Sequence, residues 1–200
     1  MFTRTNKLKV IFKEAYEDHA LDIGLTKDNV YIIRGHIFML VCPAEQIDNE
    51  VLAELVKLTG GLPNKGEAIS YVKNDEQQMT DLEFLHEDLY EQWEKAKNPV
   101  NATRMIISSE SDMQIVYQTK QLEPIMVPAR LHNCIGLPRG ANEEMQTTRL
   151  TEDGKLITVS NEMQFRFDQH KIKWLQEWEI LDKCKGIDLN WSLVDVNLYQ

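Results

Sequence analysis

The chain has 200 residues, 42% of them hydrophobic, with 32 acidic against 22 basic side chains and a formal net charge of −10. That apolar content suffices for one large or two small cored domains and excludes disorder as the default reading. The acidic charge disfavours general electrostatic attachment to nucleic acid or anionic lipid, because either would set like charge against like.

The first segment places Leu8, Ile11, Phe12, Ala15 and Tyr16 on one helical stripe, which predicts a helix over Thr5 to Asp18 with Thr5 as N-cap. Three short β-rich runs follow, Leu21 to Leu25, Val30 to Ile33 and Ile37 to Cys42, separated by turn-forming Lys27-Asp28-Asn29 and Arg34-Gly35. Pro43 ends the third run. Asp48 is the expected N-cap of a second helix carrying Val51, Leu52, Leu55, Val56 and Leu58, stopped at Gly60-Gly61 and Pro63. Glu67 to Val72 reads as one more strand before the polar stretch Lys73 to Gln78.

The order then starts again. Thr80 and Glu83 have capping-box spacing, and Leu82, Leu85, Leu89, Trp93 and Ala96 predict one helix running up to a stop at Pro99. Strands are expected over Thr103 to Ser108, Met113 to Gln118 and Glu123 to Val127, followed by a short helix over Ala129 to Ile135. Gln146 to Leu150 and Lys155 to Val159 flank a hairpin turn at Asp153-Gly154, and Met163, Phe165 and Phe167 alternate with polar residues in a further half-buried strand. The tail from His170 holds Trp174, Trp178 and Trp191 and is compatible with a helix followed by a strand. The predicted class is therefore α+β, with two tandem helix-strand-strand-strand-helix-strand units at 1–76 and 77–200, each passing from third strand to second helix at a Pro-Ala pair, Pro43-Ala44 and Pro128-Ala129.

Local chemistry motifs are weak throughout. His86-Glu87 opens like a zinc-protease helix, but Tyr90 stands where the second histidine is required. Asp153-Gly154-Lys155 has the Asp-x-Lys form of metal-dependent nucleases and is accounted for by its turn. His132-Asn133-Cys134 holds hydrolase residue types, yet neighbours on a short helix diverge instead of converging. Gly60 to Gly66 follows a helix and lacks the strand-to-helix setting of a phosphate loop. Cys42, Cys134 and Cys184 are widely spaced, fitting neither a disulfide framework nor a zinc site; Cys184, flanked by Lys183 and Lys185, is read as an ordinary thiol. No catalytic residue, metal or cofactor is expected. The apolar run Tyr31 to Pro43 is broken by Arg34, Gly35 and His36, so no membrane span is expected, and the N-terminus has no signal-peptide core. The expected location is cytoplasmic.

Charge is unevenly distributed. Arg4, Lys7, Lys9 and Lys13 make the first helix basic and are the candidate DNA-facing residues. Asp75, Glu76, Asp81, Glu83, Glu87, Asp88, Glu91 and Glu94 form a run without Lys or Arg, read either as a solvated helix face or as an acidic partner surface centred on Asp81, Glu87, Asp88 and Glu91.

The repeated element order resembles the repeated unit of DNA sliding clamps, through Asp28 to Val41 and Ile125-Met126-Val127-Pro128-Ala129-Arg130-Leu131. The chain also looks like small phage proteins, through Val51 to Leu58 and Gly61-Leu62-Pro63. The clamp resemblance implies helices lining a basic inner face and an apolar pocket for partner peptides on the outside. The expected function is non-enzymatic, a phage or mobile-element protein that binds another protein, clamp-like and associated with replication; a homo-oligomer and DNA stand beside the protein partner, DNA being disfavoured by net charge. Two alternatives stand beside it: an acidic anti-defence inhibitor mimicking nucleic acid, and an enzyme whose catalytic residues converge only in the fold.

Overall fold

The computed structural model describes residues 4–73, 77–85, 87–108, 113–135, 147–160, 163–168 and 178–189. The first stripe folds as helix α1 (Thr5–Glu17), burying Leu8, Ile11, Phe12 and Ala15. Its N-cap position is Arg4, not the expected Thr5, and no side chain caps it. The Thr5 hydroxyl instead donates to Asp48 Oδ2 at 3.0 Å, tying α1 to the start of helix α2 (Asn49–Thr59). Asp48 caps α2 as expected, accepting from the Glu50 N–H, and Gly60 closes it in the left-handed conformation at φ 77°. Strands β1 (Leu21–Leu25), β2 (Val30–Arg34), β3 (Phe38–Pro43) and β4 (Glu67–Tyr71) match the expected runs within a residue or so at each end.

The expected single helix after Thr80 is not formed. Gln78–Thr80 is a short strand, β5, and the helical stripe breaks into α3 (Leu82–Leu85) and α4 (Leu89–Lys95). The cause lies in two aspartates that offer their carboxylates to the backbone: Asp81 Oδ1 accepts from Glu83 N–H and Asp88 Oδ1 from Glu91 N–H. Each starts a turn of its own, and Asp81 takes the capping role expected of Thr80. Leu85 and Leu89 both reach full burial on the sheet.

Pro99 does not end a helix either. It lies near the start of β6 (Asn98–Ser108), opposite Arg149, where a missing N–H is tolerated. Strands β7 (Met113–Thr119) and β8 (Pro124–Pro128) lead into α5 (Ala129–His132), shorter than expected. Then come β9 (Thr147–Leu150), β10 (Lys155–Ser160), β11 (Met163–Asp168) and helix α6 (Trp178–Cys184). Trp174 and Trp191 lie outside the described residues.

The protein is thus mixed α+β, and its eleven described strands form one antiparallel sheet in the order β5-β4-β1-β2-β3-β11-β10-β9-β6-β7-β8. The stretches β4-β1-β2-β3 and β9-β6-β7-β8 have the same order relative to the chain. They are joined through β11 and β10, with β11 paired to β3 in the register Phe165 to Leu40 and β10 paired to β9. Side chains alternate between faces. On one face α1, α2 and α5 cover Ile23, Ile33, Leu40, Phe165 and Phe167, and the Phe12, Phe38 and Phe165 rings follow one another at 5.8 and 6.2 Å. On the other, α3 and α4 cover Ile32, Met39, Ala68 and Ile157, while Leu181 of α6 packs on Val116 and Met126.

Candidate functional site

On the face opposite α1 and α2, the side chains of Val30 and Ile32 share one side of β2 because they are two residues apart. Register sets Ile32 beside Val41 and Val30 beside Pro43, and Val41 in turn beside Gln164 of β11. These residues floor a groove of about 680 Å³, within the range of roughly 300–1,000 Å³ usual for binding cavities. One wall is the β1–β2 turn, Thr26, Lys27 and Asp28, held by the Val30 N–H donating to Thr26 Oγ1 at 3.0 Å. The other is Leu82 and Glu83 of α3, then Glu87, Asp88 and Tyr90.

That second wall is seated at two points. At Gly24 of β1, an added Cβ would stand 2.6 Å from Leu82 Cδ1 and 3.3 Å from Leu85 Cδ1, so the tips of both α3 leucines rest directly over the bare glycine. Between α3 and α4, Glu87 Oε2 accepts from Arg166 Nη1 and lies 3.8 Å from Lys155 Nζ. Arg166 also binds Asp168: Nη2 donates to Oδ2 at 3.2 Å, and Nε approaches Oδ1 at 2.8 Å off the hydrogen-bond line. Sequence alternation predicts these polar residues of β11 on an open face; the α3–α4 segment instead covers them, leaving Arg166 3% and Asp168 4% exposed.

Beyond Glu87 lies a polar cleft of about 470 Å³, lined among others by Asp22, Arg34, Ser70 and Arg166. Asp22 Oδ2 accepts from Arg34 Nε and Nη2 at 3.1 and 2.9 Å, and Oδ1 from the Ser70 hydroxyl at 2.5 Å. Guanidinium and carboxylate groups therefore largely neutralise each other. His19 and His36 border this cleft, and among the described residues no hydrogen bond joins either imidazole to a carboxylate.

The candidate residues named from sequence are not brought to the groove as a set. Arg4, Lys7 and Lys13 are exposed along α1, whereas Lys9 pairs with Glu50 at 2.9 Å and Lys13 lies 3.9 Å from Glu17. With Glu14, Glu17, Glu50 and Glu54 on the same helices, this layer is mixed in charge. The acidic set does not form one free face. Asp81 and Asp88 cap turns, Glu91 pairs with Lys95 at 2.5 Å, and Glu87 points at Arg166. Asp75, Glu76 and His86 lie outside the described residues.

The remaining motifs are engaged in packing. His132 Nδ1 bonds Tyr117 Oη at 2.9 Å, and burial, then the Arg4 charge, hold its pKa below the usual histidine range. Cys134 Sγ donates to Arg130 O, and burial pushes its thiol, like that of Cys42, up to about 12. Cys184 is buried beside Met105. In the Asp153-Gly154-Lys155 turn, Gly154 has φ 76° and Asp153 Oδ1 accepts from the Thr151 hydroxyl. Among the described residues no cluster of three or more His, Cys, Asp or Glu side chains is placed to hold a metal, and no helix is long and apolar enough to cross a membrane.

No protein-family model, curated protein or solved structure matches this chain.

The residues of the groove floor were legible only as strand. The spacing of Val30, Ile32 and Val41 marks a shared face, but the opposite flank of each strand, Tyr31, Ile33, Leu40 and Cys42, is equally apolar. The sequence holds no sign of which face stays accessible.

Proposed function

We propose that the protein is non-enzymatic and acts by taking a segment of a protein partner into the groove over β2 and β3, within a clamp-like frame that serves the replication machinery of a phage or mobile element. The observation that carries the reading is the groove itself: an apolar floor of Val30, Ile32 and Val41 lying on the sheet face opposite the α1, α2 and α5 layer. Apolar grooves of this size bind by burying a few anchoring side chains. The common order of β4-β1-β2-β3 and β9-β6-β7-β8 supports two tandem units, and an apolar groove on the face opposite the α1, α2 and α5 layer fits the partner pocket implied by the clamp resemblance, although α3, α4 and α6 also pack on that face. One departure is the position of α4: it precedes β6 as α1 precedes β1, yet packs on the opposite face. The mixed charge of the α1 and α2 surface gives DNA little net attraction.

Display of random dodecapeptides against the immobilised protein tests the reading. Val30→Glu and Tyr90→Ser, both at partly or fully exposed groove positions, serve as counter-selections. Enriched peptides that lose binding to both variants are expected; enrichment of none, or binding indifferent to both variants, overturns it. Light scattering with circular and linear duplex DNA tests the ring: an oligomer retained only on circles supports the clamp-like frame, and a monomer indifferent to both discards it.

A further inference from the structure

The groove is apolar below and acidic above. Asp28 rises from the β1–β2 turn, and Glu83, Glu87 and Asp88 from the α3–α4 segment, against the single ammonium of Lys27 among the groove-lining residues. These carboxylates differ in what they already hold. Glu87 is committed to Arg166 and Lys155, and Asp88 Oδ1 to the Glu91 N–H. Asp28 and Glu83 are exposed and form no ion pair with any described residue. One belongs to the β1–β2 turn and the other to α3, and both border the groove, so a cation seated in it meets negative charge from two separate elements.

We infer that the segment taken up is cationic as well as apolar: a stretch of another protein in which one or two large apolar side chains stand next to lysine or arginine. The inference rests on the peptide-binding reading above and specifies its partner. The apolar anchors lie over Val30 and Val41 beside Tyr90, and the adjoining cation meets Asp28 and Glu83. A fatty acid or other anionic amphiphile would bring its charge against the same carboxylates, and a neutral apolar ligand would make no use of them. Rim charges act mainly through association rate and selectivity, so the preference is expected to weaken with salt.

Fluorescence anisotropy with the full chain and three labelled dodecapeptides tests this: one with Phe and Leu flanked by Lys and Arg, one with Glu in place of those cations, and one with the cations kept and Ser in place of Phe and Leu. The first peptide is expected to bind at least about tenfold more tightly than either of the others. Asp28→Asn combined with Glu83→Gln is expected to bring the Lys/Arg and Glu peptides within about twofold of each other. Val30→Glu and Tyr90→Ser should each weaken the first peptide. Equal binding of the Lys/Arg and Glu peptides, with loss in the groove variants, overturns the cationic preference and leaves the groove reading standing. Equal binding of the Ser peptide shows plain charge attraction and overturns the inference. Binding of none, or binding untouched by both groove variants, removes the groove reading and the inference with it.

Discussion

Arg166→Met is expected to destabilise the protein far more than Glu87→Gln, although both remove the same ion pair. The Arg166 side chain is 4% exposed and that of Asp168 6%, whereas Glu87 is 31% exposed. Removing the guanidinium takes the 2.8 Å contact of Arg166 from the buried Asp168 carboxylate, and breaking a buried pair from one side costs about 3–5 kcal/mol. Methionine fills most of the lost volume, so about 3 kcal/mol is the expected loss. Removing the Glu87 charge leaves Arg166 on Asp168, and partial solvation of the pair holds the cost to about 1 kcal/mol. With a urea dependence of about 2 kcal/mol per molar, the midpoints should fall by about 1.5 M and about 0.5 M respectively, with slopes unchanged. Adding Asp168→Asn to Arg166→Met should recover a large part of the loss, because an amide replaces the buried charge. Equal losses from Arg166→Met and Glu87→Gln, or no recovery in the double variant, would refute the argument that the buried β11 pair, and not its link to α3–α4, dominates.

Gly24→Val is expected to push the Leu82 and Leu85 side chains off β1 and loosen α3, since its Cβ would fall 2.6 Å from Leu82 Cδ1 and its γ-methyls add further bulk, at a cost of about 1 kcal/mol. Hydrogen exchange at 82–85 should quicken while α1 and α2 keep their protection. The thiols of Cys42 and Cys134, raised by burial from 9.0 to about 12 in the fold, should resist iodoacetamide at pH 8 and react in urea. Their folded pKa lies above the unfolded one, so the stability they contribute is full below about pH 9 and is lost as pH rises toward 12, with a slope of about 1.4 kcal/mol per pH unit for each thiol. Asp48 behaves in the opposite sense. Its carboxyl is held below the usual range by the Glu50 N–H and then the Thr5 hydroxyl, so its contribution stands above the unfolded pKa and is lost as pH falls through the folded one. Asp48→Ala should therefore flatten the acid limb of a melting-temperature profile.

The sequence by itself determined the local elements and their faces. The stripe of Leu8, Ile11, Phe12 and Ala15, the Asp48 cap, the Gly60 stop and the Asp153-Gly154 turn need only neighbours in the chain, and each stands where periodicity and turn chemistry place it. Tertiary structure decided which elements meet. The pairing of β3 with β11 joins residues 38–41 to 164–167, a separation at which no local pattern carries information. It also decided that the stripe of Leu82, Leu85 and Leu89 divides at Asp88 and settles on the face opposite α1, covering Arg166 and Ile32 and leaving Val30 and Val41 partly open in the floor of a groove. Hydrophobic spacing reports that side chains share a face. It does not report which other surface covers that face, because this depends on competition among all the apolar surfaces of the folded chain.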